Sequence, residues 1–274
     1  MTTPILADLL ASIREGAPVA LATVVAGPGL GSKAMVTPGS ALGTLGDPGL
    51  DRAVIGDVRS MLAHGTTGTR HYGAHGEQRE AHVEVFVQSF APPPRMYVFG
   101  AIDFSRATVR VGKLLGYHVT VCDARATFAT RKRFPEADEV VVRWPHEFLA
   151  EAAVDERTVL CVLTHDPKFD VPLLLEAVKT PAAYVGAMGS RRTHTDRVQR
   201  LRAEGLSEDQ LARIRGPIGL DIGARTPEEV AVAIAAEIIA LRYGRRALAL
   251  SERSGPVHGP APSPAIAATA SASA

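Results

Sequence analysis

Four short stretches hold the residue types that could do chemistry. "LTHDPKFD" places His165, Asp166, Lys168 and Asp170 within six positions, directly after the apolar run "TVLCVL". "YVGAMGSRRT" places Gly189, Ser190, Arg191 and Arg192 after a second apolar run. A serine cap followed by two arginines is an electrostatic mismatch, because a helix N-terminus is already positive. An anion such as a phosphate, held by backbone N–H groups and an arginine fork, would resolve it. "GPIGLDIGARTPEEV" surrounds Asp221 with Gly216, Gly219 and Gly223 just ahead of a helix, a second candidate anion-binding edge. "YVFGAIDFSRATVRVGKLLGYHVTVCDAR" reads strand, turn, helix, strand, acid, with Gly100 in the turn and Asp123 and Arg125 after the second strand.

That turn departs from a dinucleotide fingerprint. Gly100 takes the first glycine position, but Ile102 takes the second and Ser105 the third. The branched Cβ of Ile102 blocks close backbone approach to a pyrophosphate. Asp103 is expected to cap the following helix, occupying the place a phosphate would take. Both features disfavour NAD(P), although Asp123 keeps the acid that meets a ribose and Arg125 could meet an extra phosphate. The chain has no G-x-S-x-G elbow, Walker loop, H-E-x-x-H or EF-hand. His64, His71, His75 and His82 lie in a Gly/Thr-rich stretch without cysteine partners or a shared helix face, so no zinc cluster is expected. No catalytic residue and no metal ligand is assigned.

The elements that must position these loops follow from periodicity. Ile5, Leu6, Leu9, Leu10 and Ile13 lie on one helical face, "PVALATVVAG" reads as a buried strand, and "AHVEVFVQSF" alternates apolar and polar positions. After Pro92, Pro93 and Pro94 the pattern becomes strand alternating with helix, and four of five strands are almost wholly apolar. Such strands suit a parallel sheet covered on both faces. The fold class expected is α/β, with a Rossmann-like parallel-sheet domain over residues 93–250 preceded by a smaller α/β domain over residues 1–92. Residues 251–274, rich in Ala, Pro, Ser and Gly, are expected to be disordered.

Bulk properties narrow the function classes. A formal net charge of +1 over 274 residues gives no global field for nucleic acid or an anionic membrane. Cys122 and Cys161 each sit in an apolar run and read as core thiols. With no disulfide framework, no leader pattern and no long apolar run, a cytoplasmic protein is expected.

"LTHDPKFD", "AYVGAMGSRRT" and "PIGLDIGARTPEEVAVAIAAEIIA", together with "RFPEADEVVVRWPHEFL", resemble the signatures of the XdhC/CoxI family, the xanthine dehydrogenase accessory factors. The resemblance is strong over residues 97–246 and weaker over the first 90. It implies a maturation factor that binds molybdenum cofactor, supports its sulfuration with a cysteine desulfurase and delivers it to a molybdenum hydroxylase apoenzyme, with a homodimer among the arrangements it allows. The cofactor's phosphate would suit the loops around Gly189 and Asp221. Two stretches depart from the family. Its turn reads Gly-Ala-Gly-His-Val-Gly, where this chain has Gly100-Ala101-Ile102-Asp103-Phe104-Ser105. Its amino-terminal Gly-Gly-Gly-Cys-Leu-Glu becomes Gly46-Asp47-Pro48-Gly49-Leu50-Asp51, with glycine in place of cysteine. An NAD(P)-dependent oxidoreductase and a degenerate binding or regulatory member of the family are the alternatives.

Overall fold

The computed structural model describes residues 4–77, 81–164 and 166–252. The chain divides between Pro93 and Pro94 into two compact units.

The first unit runs α1 (Pro4–Arg14), β1 (Val19–Ala26), β2 (Lys33–Val36), β3 (Ala41–Thr44), α2 (Pro48–His64), β4 (Gly68–Tyr72) and β5 (Val83–Phe90). Its five strands form an antiparallel sheet in the order β3-β2-β1-β5-β4. The period-two alternation of β1 assigns the faces. Ala20, Ala22 and Val24 pack with Leu50, Val54 and Val58 of α2, whereas Val19 and Leu21 pack with Leu9 and Ile5 of α1. Leu6, Leu10 and Ile13 of the expected α1 face stay exposed. The stretch around His71 is strand β4, not loop. It is a polar edge strand, and its one fully buried side chain is Tyr72, which donates to Asp57 at 2.9 Å.

The second unit runs β6 (Arg95–Phe99), α3 (Asp103–Leu114), β7 (His118–Cys122), β8 (Glu139–Val141), α4 (Pro145–Glu151), β9 (Val159–Val162), α5 (Pro167–Ala177), β10 (Tyr184–Ala187), α6 (Arg191–Ala203), α7 (Glu208–Ala212), β11 (Ile214–Arg215) and α8 (Pro227–Arg242). A 3-10 turn, Leu250–Glu252, follows. The tail expected to be disordered lies outside the described residues from position 253.

The six strands are all parallel, in the order β8-β7-β6-β9-β10-β11. Numbered within the unit this is 3-2-1-4-5-6, the doubly wound order. Alternation along β6 sends Tyr97 and Phe99 to the layer holding Leu149, Leu173 and Leu201, and Met96 and Val98 to the layer holding Val109, Ile234 and Ile238. Cys122 and Cys161 are buried, and burial, helped by the neighbouring carboxylates Asp123 and Glu237 respectively, pushes each thiol up to about 12. At neutral pH both are inert core residues. The strand order reverses between β6 and β9, so the crevice beyond their carboxyl ends is where this architecture accepts ligands. Gly100 and Thr164 stand there, just past those ends. No helix among the described residues is long and apolar enough to cross a membrane.

Candidate functional site

The β6–α3 turn is shut from within. Gly100 adopts φ +103°, and a Cβ there would lie 2.6 Å from Cγ2 of Thr164. Only glycine lets the ends of β6 and β9 approach this closely. Ser105 is fully buried, donates to the Gly100 carbonyl, and its Oγ accepts from the Ile102 N–H at 3.4 Å. Asp103 does not cap α3. Ile102 takes the N-cap backbone geometry, and Asp103 is the first helical residue, 89% exposed, with its carboxylate 3.3 Å from Arg133. The Ser105 hydroxyl thus bridges turn and helix, joining the Gly100 carbonyl to the Ile102 N–H.

Asp123, just past the end of β7, is buried and fully engaged. It accepts from the Ala101 N–H at 2.7 Å and the Arg125 N–H at 2.9 Å, and from the Arg125 guanidinium at 2.9 and 2.7 Å. Burial pushes its carboxyl up, but the Arg125 side chain and the two backbone donors together hold it below its ordinary value of 3.8. A depressed folded value means stability that is present above pH 3.8 and lost as pH falls through the folded value. The melting-temperature gap between the native chain and Asp123→Asn is therefore expected to be constant from neutral pH to about 5 and to close below 3.8; a gap that widens on acidification would contradict this.

His165 lies outside the described residues. Asp166 caps α5, accepting from the Lys168 N–H at 3.1 Å, and Pro167 opens the helix. Lys168 is exposed and lies 3.4 Å from Asp166. Asp170 is inside the helix and buried. It accepts from the Thr164 hydroxyl and from Nη2 of Arg197 at 2.8 Å. Arg197, from α6, is only 3% exposed and also donates to the Met188 carbonyl at 2.7 Å. Its other terminal nitrogen, Nη1, is buried with no hydrogen-bond partner among the described residues. A buried donor left unpaired is costly and asks for an acceptor. Arg197 thus ties the loop after β9 to the loop after β10 while keeping one donor in reserve. Residue types and motif spacing did not single it out. The signal was its place four residues before buried Leu201, a charge on the core face of α6.

Ser190 caps α6, accepting from the Thr193 N–H at 3.1 Å, and Gly189 before it has φ +144°. Arg191 and Arg192 project from the first turn into solvent. Arg191 lies 3.6 Å from Asp221, with both side chains 87% exposed, a contact too wet to fix either group. Gly189, Arg191 and Asp221 open onto one cavity of about 440 Å³ walled by Phe104, Met188, Ile218, Leu220 and Val230. The 217–220 wall is fixed from behind. Glu237 of α8 accepts from the Gly219 N–H at 2.9 Å and from the Tyr184 hydroxyl at 2.5 Å. Of the candidate residues, Gly189, Arg191 and Asp221 line the cavity, with Ser190 and Arg192 next to them in sequence, Asp123 and Arg125 sit beside the Gly100 turn, and Asp166 and Lys168 open α5.

In the first unit the position of the family's cysteine is closed. A Cβ on Gly49 would run into the His75 carbonyl oxygen and come within 3.0 Å of Oδ1 of Asp47. That carboxylate caps α2, accepting from the Gly49 and Leu50 N–H groups at 2.8 and 3.0 Å, and it meets the His75 ring at 2.9 Å. Gly49→Cys is expected to cost about 1–3 kcal/mol through overpacking and to leave thiol chemistry unrestored; a thermal melt equal to that of the native chain would contradict it. Among the described residues no group of His, Cys, Asp and Glu is arranged to hold a metal ion.

Residues 96–238 match the family described as the XdhC Rossmann domain, and residues 12–73 match the XdhC and CoxI family. The chain is 30% identical over 158 residues to a probable xanthine dehydrogenase subunit of Bacillus subtilis (strain 168), covering 58% of this chain and 46% of that protein. It is 29% identical over 157 residues to the molybdenum cofactor insertion chaperone PaoD of Escherichia coli (strain K12), covering 57% of this chain and 43% of that protein. It thus spans less than half the length of either relative. The crystal structure of a xanthine dehydrogenase from Bacillus halodurans shares the fold, with a TM-score of 0.54, 18% identity, and 87% of this chain and 96% of that chain covered. The chain belongs to the XdhC/CoxI family.

Proposed function

We propose that this chain is a maturation factor for a molybdenum hydroxylase, binding molybdenum cofactor at the carboxyl edge of its parallel sheet and passing it to the apoenzyme. The observation that carries the reading is the joining of an apolar cavity to a helix N-terminus bearing Ser190, Arg191 and Arg192. A volume of about 440 Å³ lies in the range of small-molecule sites. The residues fit the group. Phe104, Met188 and Ile218 offer apolar faces to a flat pterin, while the α6 N-terminus and the arginine pair hold the phosphate.

The bound cofactor brings the redox metal that the client enzyme needs. The chain's own residues bind, orient and shield it, and no general base or nucleophile is required of them. Both thiols are buried in the core, and sulfuration is assigned to a partner cysteine desulfurase. An NAD(P)-dependent oxidoreductase is the lesser reading, because Arg125 already fills both oxygens of the ribose-binding acid. The test is anaerobic incubation with molybdopterin followed by gel filtration and fluorescence of the oxidised pterin. Close to one pterin retained per chain is expected; none retained contradicts the proposal.

A further inference from the structure

The outer face of α8 does not suit water. From Val230 to Leu241 the only charged residue is Glu237, and its carboxylate turns inward to the Tyr184 hydroxyl and the Gly219 N–H. A helix on the surface of a domain ordinarily carries charge on the side away from the core, and one that is apolar all round is buried all round. In α8 only one side is covered. Ala231, Ile234, Ala235 and Ile238 are buried. Val232, Ala236 and Ile239, spaced i, i+4 and i+7, form a stripe on the other side. Val232 is 52% exposed and Ile239 38%, with Ala236 half-buried between them. Tyr243 extends the stripe into the C-cap.

Charge stands only at the two ends of this stripe, and the ends have opposite sign. Glu228, one turn before Val232, is exposed in the first turn of the helix. Its neighbour Glu229 is taken up by the cap, accepting from the Arg225 and Thr226 N–H groups at 2.7 and 3.0 Å. Arg242, in the last turn, is engaged with the Tyr117 hydroxyl. Arg245 and Arg246 follow just past the C-terminus. Glu228, Arg245 and Arg246 make no ion pair among the described residues. Turned end for end, the stripe therefore complements itself, acid against base and apolar against apolar.

We propose that the outer face of α8 is the contact between two copies of this chain, the two helices crossing antiparallel about a two-fold axis at Ala236. A small side chain at the crossing point lets the helix axes come close. Val232 of each copy packs on Ile239 of the other, and Glu228 of each lies toward the Arg245–Arg246 segment of the other. Antiparallel alignment also sets the helix dipoles head to tail. A two-fold contact uses the same patch on both copies and closes at two. The stripe takes none of the residues that line the cavity, to which α8 contributes Val230 and Ala233. The contact therefore does not rest on the maturation reading.

The test is sedimentation equilibrium of the full chain from about 1 to about 200 µM. A monomer–dimer equilibrium is expected within that range. Val232→Glu with Ile239→Glu is expected to weaken association roughly a hundredfold or more, because carboxylates would be buried without partners. Both positions are exposed in the single chain, so far-ultraviolet circular dichroism should be unchanged. Glu228→Arg alone is expected to weaken association about tenfold through like-charge repulsion. Adding Arg245→Glu and Arg246→Glu should restore it, a rescue that a folding defect would not give. Crosslinking reads the register, since both native thiols are buried. Under mild oxidation Ala236→Cys is expected to link to itself, whereas Val232→Cys links only when mixed with Ile239→Cys. A chain that stays monomeric to about 200 µM overturns the proposal, as does a dimer that survives the glutamate pair. A dimer that forms only after residues 253–274 are removed also overturns it, and identifies that segment as the cover of α8.

Discussion

Arg197→Ala is expected to destabilise the chain by about 3–5 kcal/mol, the typical cost of removing one member of a buried ion pair. Arg197 and Asp170 are each about 3% exposed at the side chain, so water cannot replace the lost guanidinium. The Asp170 carboxylate would stay buried beside Thr164, and the Met188 carbonyl would lose its donor. For a protein of this size each kcal/mol moves the melting temperature by about 2–4 °C, so calorimetry should show a fall of about 6–20 °C. The reciprocal change, Asp170→Leu with Arg197→Met, should recover most of that loss, because filling the space with apolar groups removes the desolvation cost along with the attraction. A single-variant loss under about 1 kcal/mol would mean that the pair behaves as though solvated, and that the two loops are not tied through it.

Arg191→Ala combined with Arg192→Ala has the largest expected effect on ligand binding. Both side chains are exposed, and the one ion pair involved, Arg191 with Asp221, lies in open solvent. The melting temperature should therefore hardly move. Hydrogen bonds from charged donors contribute about 1.5–3 kcal/mol each, so losing at least one from the phosphate should weaken molybdopterin retention by roughly 10- to 150-fold. Arg191→Lys with Arg192→Lys should fall between, because a lysine keeps the charge but loses the planar fork. Retention unchanged by the alanine pair would place the phosphate elsewhere, with the glycine-flanked Asp221 loop the next place to look.

How much of this was legible in the sequence depends on how local the determinants are. The doubly wound unit was readable because most of its strands announce themselves as apolar runs and several of its helices carry side-chain caps. Thr226, Pro227 and Glu229 form such a start, and the structure shows the reciprocal cap with Glu229 accepting from the Thr226 N–H at 3.0 Å. Strand β4 was not readable, because an edge strand with one face in water needs no apolar alternation. Strand β11 has two residues, too few for any period.

At the candidate site the loops at the carboxyl edge were found from their residue types, but their internal wiring was not. An aspartate just inside a helix start suggests a cap, and only the backbone conformation shows that Ile102 holds that position and Ser105 fills the gap. In the sequence Asp170 is one of four polar residues clustered in "LTHDPKFD". Its real partner, Arg197, is 27 positions away, a separation that no local pattern encodes. The closure at Gly49 has the same character: a glycine in place of cysteine is visible in the sequence, but the His75 carbonyl that excludes a side chain there comes from a different loop.

The central claim is that this chain carries molybdenum cofactor to a client, and transfer tests it most directly. The chain is loaded anaerobically with the cofactor, freed of excess, and mixed with an apo molybdenum hydroxylase, and the recovery of hydroxylase activity is followed over time against the same amount of free cofactor. Faster and more complete activation from the loaded chain is the expected result, with the advantage lost in Arg191→Ala with Arg192→Ala. A chain that retains no cofactor, or one whose addition leaves activation no better than free cofactor alone, would contradict it.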